Sequence, residues 1–236
     1  MNPHRWRVLW FACFLFLGGV RVEAKETAGD QRVGIALGWQ STWIIRIVYG
    51  RAVDLSGEVE WVSELTVPLF AEGFLRNGSL LTGLSIPIPR KGEQGLGFRA
   101  RGMTGFLWSG DDLGFRLSWG GEGRIATGWY EKSWSIAAEM GYRAALVTLM
   151  WHSEVQQRCF TDRFPGDDGW GPAYSLRYLT SQRASIGVAA ELTASENLSL
   201  SIRGGFENTP SRVPGMGTPP IFPLPFYVEA GGTVSW

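Results

Sequence analysis

The stretch TLMWHSEVQQRCFTDRFPGDDGWGP, residues 148–172, holds the chain's densest set of side chains able to do chemistry. An imidazole titrates near neutrality, so His152 beside Glu154, Asp162, Asp167, Asp168 or Cys159 could serve as an acid/base, nucleophilic or metal site. The spacing does not favour that outcome. Metal binding needs three or four ligands at ordered intervals, and PGDDG offers two adjacent carboxylates without the alternating oxygens of a calcium loop. The reading adopted is a histidine at the rim where a strand ends, followed by a solvated turn. His152 is retained as a weak catalytic candidate, and no metal or cofactor is expected.

What would hold that rim is β-structure, because period-two alternation recurs along most of the chain. Val33, Ile35, Leu37 and Trp39 alternate with small residues, and the phase continues through Trp43, Ile45, Ile47 and Tyr49. The same phase runs unbroken from Trp134 to Met150 and from Tyr174 to Leu192, so each of these reads as one long strand. Residues 140–152 also contain good helix formers, which leaves a helix as the alternative there. Ten strands are expected, at 32–50, 58–70, 79–88, 95–108, 113–120, 124–131, 133–152, 173–192, 198–207 and 225–236. Eight or twelve would also fit. The longer links on one side are expected at 51–57, RKGEQG, 153–172 and 208–224, with GEGR a short exception, and the shorter ones opposite at 71–79, 109–112, 131–132 and 193–197.

Residues 1–24 carry Arg5 and Arg7, an apolar run from Val8 to Val20 and a small-residue site ending at Ala24, the order of a secretory signal peptide. The run is shorter than the roughly 20 residues a helix needs to cross a bilayer. Residues 25–236 are then one domain. Removing the leader leaves 22 − 3 = 19 basic and 22 − 1 = 21 acidic residues, a net charge of −2. With no basic block, nucleic acid is not an expected partner. Cys159 would be the sole remaining cysteine and has no partner for an internal disulfide.

The two faces of the strands differ in kind. One is aliphatic with Trp43, Trp61, Trp108, Trp119 and Trp134 at strand ends. The other carries Arg46, Glu60, Glu64, Arg99, Arg101, Arg116, Glu139, Arg143, Arg203 and Glu229 among Gly, Ser and Ala, with lysine almost absent. A soluble β-fold would put Lys and Glu on its outer surface. Paired arginines and carboxylates suit a crowded interior, and the greasy face suits lipid bounded by aromatic girdles. The expected fold is all-β, an antiparallel transmembrane β-barrel, closed because hydrocarbon leaves no partner for a free strand edge.

On the alternation of Val228, Ala230, Val234 and Trp236 in FYVEAGGTVSW, the chain resembles bacterial outer-membrane β-barrel proteins; Gly232 departs from the pattern. The resemblance implies residence in the outer membrane, contact with its lipid, and recognition of these four residues by the barrel-assembly machinery. EVEWVSELTVPLF, residues 58–70, is similar to a strand of lipid A deacylases of the acyloxyacyl hydrolase type. Their His-x-Ser motif is not reproduced by His152-Ser153-Glu154, which removes the nucleophile–base pair by that route. The function expected is an envelope protein with a narrow charged lumen and exposed loops, structural or interactive, and enzyme activity is not the reading adopted. A lipid A-type hydrolase with a rim site, or a narrow passive channel, are the alternatives.

Overall fold

The computed structural model describes residues 31–40, 43–53, 59–69, 77–88, 95–111, 114–161, 173–208 and 226–236. The leader expected at 1–24 lies outside them. Ten antiparallel strands close into a barrel, each paired with its sequence neighbours and the last with the first. They are β1 (Gln31–Gln40), β2 (Trp43–Ala52), β3 (Glu60–Pro68), β4 (Asn77–Ile88), β5 (Gly95–Asp111), β6 (Gly114–Tyr130), β7 (Trp134–His152), β8 (Tyr174–Ser195), β9 (Leu198–Asn208) and β10 (Phe226–Ser235). A short helix, α1 (Glu154–Thr161), follows β7. Closure runs in register from Arg32 opposite Ser235 to Gln40 opposite Tyr227. Gln31 and Trp236 extend it by exchanging backbone hydrogen bonds.

The expected number of strands is right, but two boundaries are not. Residues 32–50 form two strands paired with Trp39 opposite Trp43; facing residues four apart conserve parity and leave the alternation unbroken. Residues 113–120 and 124–131 belong to one strand, β6, which passes straight through Gly120-Gly121-Glu122-Gly123 while pairing with β5 and β7. The two changes also exchange the ends assigned to the links between 51 and 112. The β1–β2, β3–β4, β5–β6, β7–β8 and β9–β10 connections leave from one end, here the helix end, since α1 lies there. The other connections, with Gln31 and Trp236, lie at the base.

β7 is a strand throughout, not a helix, but its phase shifts. The register with β8 jumps from Ala145 opposite Ser181 to Val147 opposite Tyr178, leaving Leu146 opposite two residues, Leu179 and Thr180, with Leu179 left-handed at φ 49°. Beyond this bulge Thr148 and Met150 are buried on the inner side, contrary to their expected outward orientation, and Trp151 faces out.

Outside, Ile35, Leu37, Ile47, Ile125, Ile136, Met140, Ile186, Val188 and Ile202 are exposed in an aliphatic belt. Trp61, Trp129, Trp134 and Trp236 flank it at the base; Trp43, Trp151, Tyr174, Phe206 and Phe226 flank it at the helix end. Such a surface would be costly in water and is at rest in hydrocarbon, with indoles at the two interfaces. Trp108 is the exception among the expected girdle residues. It is buried, its ring lying where a side chain on the facing Gly78 would stand, so that a Cβ there would come within 2.5 Å.

Candidate functional site

Inside the barrel the charged residues meet in one network. Glu64 of β3 is buried; it accepts a hydrogen bond from Arg101 of β5 at 2.9 Å and forms ion pairs with Arg46 of β2 at 3.3 Å and Arg143 of β7 at 3.9 Å. Arg46 reaches across the β1–β10 closure to Glu229 at 2.9 Å. Arg203 of β9 bridges Glu139 at 2.9 Å and Glu229 at 3.7 Å, and its guanidinium lies 5.6 Å from the Tyr227 ring centroid. Such pairs are strong in a low-dielectric interior only when each carboxylate is fully engaged, which the arginine fork allows.

The expected interior set is therefore largely brought together, in four groups. Arg46, Glu64, Arg101, Glu139, Arg143, Arg203 and Glu229 form the network. Glu60 pairs instead with Arg32 at the base. Arg99 lies 5.8 Å over the Tyr130 ring. Arg116, on β6 opposite Ser109 and Met150, lies toward the helix end with contacts of its own.

Residues absent from that set are central to it. Glu122 is buried and binds both Arg124 and Arg143, the latter through Nε at 2.6 Å. Arg183 pairs with Glu207 at 3.0 Å. Glu122 and Arg124 belong to the GEGR segment expected to be a link; their alternation with outward Gly123 and Ile125 was the available signal. Glycines make room for these long side chains. A Cβ on Gly50 would stand 2.0 Å from Glu60 Oε1, and one on Gly38 2.4 Å from Glu229 Cγ.

Among the described residues, cavities remain between these side chains. One of about 20 Å³ is bordered by Arg46, Glu122, Arg143, Arg203 and Glu229. Another, about 90 Å³, lies toward the base between Arg32, Ser85, Arg99, Arg101, Arg124 and Glu139. A water's share of liquid volume is about 30 Å³, so the first has room for about one water and the second for about three, and neither is a stretch of open channel.

At the helix end, His152 is buried on the inner side. Its Nδ1 lies 2.8 Å from Gln156 Oε1 on α1, and its Nε2 lies 3.0 Å from Ser175 Oγ on β8. The Gln156 amide oxygen can only accept, which places the imidazole proton on Nδ1 and leaves Nε2 to accept from the serine hydroxyl. The Gln157 side chain donates to the His152 carbonyl at 3.0 Å, fastening α1 to the rim. Of the partners considered for His152, Glu154 is exposed at the start of α1. Asp162, Asp167, Asp168 and the side chain of Cys159 lie outside the described residues. Neither Gln156 nor Ser175 was singled out in the sequence; Gln156 stands one helical turn from His152, whereas Ser175 comes from another strand.

On β10, Val228, Ala230 and Val234 point outward with Trp236, while Glu229 and Tyr227 are buried.

No protein-family model matches the sequence, and no curated protein matches it. Solved structures similar to it are barrels. The outer membrane protease OmpT from Escherichia coli aligns with a TM-score of 0.48 at 6% identity, over 91% of this chain and 99% of that one. The N-terminal β-barrel domain of Pseudomonas aeruginosa OprF aligns at 0.34 and 8% identity, over 89% and 100%. The NanC porin aligns at 0.34 and 9% identity, over 87% and 99%. At such identity the likeness extends to the barrel and no further.

Proposed function

We propose that this chain is an exported barrel of the bacterial outer membrane with a structural or interactive role, closed to bulk flow by its own side chains. The observation that carries the reading is the ion network around Glu64 and Glu122, which crosses the lumen from β2 to β7 and from β9 to β2. The aliphatic belt with aromatic residues at both of its edges supports residence in a bilayer. The leader at 1–24 is the expected route of export, and β10 the strand offered to the barrel-assembly machinery. Reconstitution into planar bilayers tests the closed lumen: silence at all voltages is expected, and steady, reproducible conductance steps would reject it. Outer-membrane fractionation together with heat-modifiable migration tests the location and the barrel.

A second reading is favoured by one observation, the Ser175–His152–Gln156 chain of hydrogen bonds. A serine, a base within reach and a group orienting that base are the parts of nucleophilic acyl transfer. They supply from two strands the pair that the sequence lacks in its His-x-Ser form. In this reading the rim hydrolyses an ester of the lipid A type. Mass spectrometry of envelope lipid A from cells carrying the wild type, Ser175→Ala or His152→Ala decides it: loss of an acyl chain with the wild type alone supports hydrolysis, and identical lipid in all three rejects it.

A further inference from the structure

The cavity near the base has a lining unlike the rest of the lumen. Arg32, Arg99, Arg101 and Arg124 converge on it with the Ser85 hydroxyl, and Glu139 is the carboxylate at its edge. Arg32 is matched by Glu60 alone among the described residues, but the carboxylates serving the other arginines are shared. Glu64 serves Arg46 and Arg143 as well as Arg101. Glu122 divides itself between Arg124 and Arg143. Glu139 is taken by Arg203.

Arg99 has no carboxylate partner among the described residues. Its guanidinium lies over the Tyr130 ring, an arrangement that occupies the face of the group and leaves its in-plane N–H donors free. Arg99 is exposed, whereas the Nε groups of Arg101 and Arg124 are buried without an acceptor, as are those of Arg46 and Arg203 outside this lining. Buried donors of this kind normally find a partner, and for a guanidinium group a negatively charged acceptor is the strongest one.

We propose that this cavity is a binding site for one small oxyanion of the phosphate class. Arg99 supplies the free fork, the Arg101 and Arg124 guanidinium groups of the lining supply positive charge, and the Ser85 hydroxyl supplies a neutral donor. About 90 Å³ is the space of roughly three waters and accommodates a single tetrahedral anion, not a nucleotide or a sugar chain. Access is from the base, where the Arg32 side chain is 33% exposed and Arg99 is exposed. The anion would neutralise the surplus of guanidinium charge and stiffen β5 against β6.

The test uses the full barrel refolded in a phosphate-free neutral detergent, with unfolding followed by heat-modifiable migration. Inorganic phosphate is titrated at constant ionic strength against chloride. The wild type is expected to unfold at a temperature that rises with phosphate and saturates. Arg99→Gln should raise the half-saturating concentration at least tenfold, and Arg99→Lys, which keeps the charge but loses the fork, by less. Glu207→Gln, at the other cavity, should retain the wild-type response. Glycerol phosphate is a second titrant: a matching response assigns the site to phosphate groups carried on lipid headgroups as well as free phosphate, and a response to inorganic phosphate alone assigns it to the free anion. Equal effects of phosphate and chloride, or an unchanged phosphate response in Arg99→Gln, would overturn the proposal and leave water as the occupant.

Discussion

The inner and outer faces of the same wall are held by different rules. Inside, Glu64 answers to arginines from three other strands, and Gly38 and Gly50 are empty because Glu229 and Glu60 fill the space beside them. Each inner residue therefore has named partners and a fixed register. Outside, Ile35 and Ile186 are 55% and 58% exposed, flanked mainly by other apolar residues along the same belt. What the bilayer asks of them is hydrophobicity, with shape secondary. Specificity in this barrel lives on the inner face, and the outer face supplies composition.

That contrast can be broken experimentally. The largest effect is expected from Glu64→Ala, which strands Arg101 and weakens the hold on Arg46. Removing one partner of a buried charge set costs about 3–5 kcal/mol, so the urea midpoint for loss of the heat-resistant band should fall sharply or the barrel should fail to form. Next comes Ile35→Arg, midway along β1 in the belt. An outward charge at the bilayer midplane costs about 2–4 kcal/mol, whereas Ile35→Leu should leave the midpoint nearly unchanged; equal penalties for the two would contradict a lipid-facing position. The smallest is Thr148→Val, which removes the 2.7 Å hydrogen bond between Thr148 and Ser118. A buried hydrogen bond of this kind contributes about 1 kcal/mol, and a null result would place Thr148 on the outer face, as the unbroken alternation implies.

Most of the inner face was legible because a charge every second residue has few other uses. Arg46, Glu64, Arg101, Arg143 and Glu229 follow from parity alone. The loss of Glu122 and Arg124 has a physical source. Gly120-Gly121-Glu122-Gly123 looks like a turn, since glycine usually marks one. In a narrow barrel the same residue leaves room for a neighbour's guanidinium. The opposite error at Gln40–Trp43 arose because the facing residues Trp39 and Trp43 stand four apart, an even step that keeps parity, so alternation cannot detect the reversal. Ten strands were counted correctly only because one strand was divided and another pair joined. Ser175 had no local signal, as its relation to His152 depends on which strands are adjacent and on a bulge.

That bulge has a consequence for the chain's tolerance of length change. Leu146 is one residue set against two, Leu179 and Thr180, and it reverses the facing of everything after it on β7 while β8 keeps its own. Deleting Leu146 would remove no charge and no hydrogen-bonding side chain. It would set Ala145 directly before Val147, and these two already pair with the consecutive Gly120 and Trp119, so Thr148, Met150 and His152 would keep their inward side; the extra residue lets the sequence slip by one in parity while the rim holds its compartment.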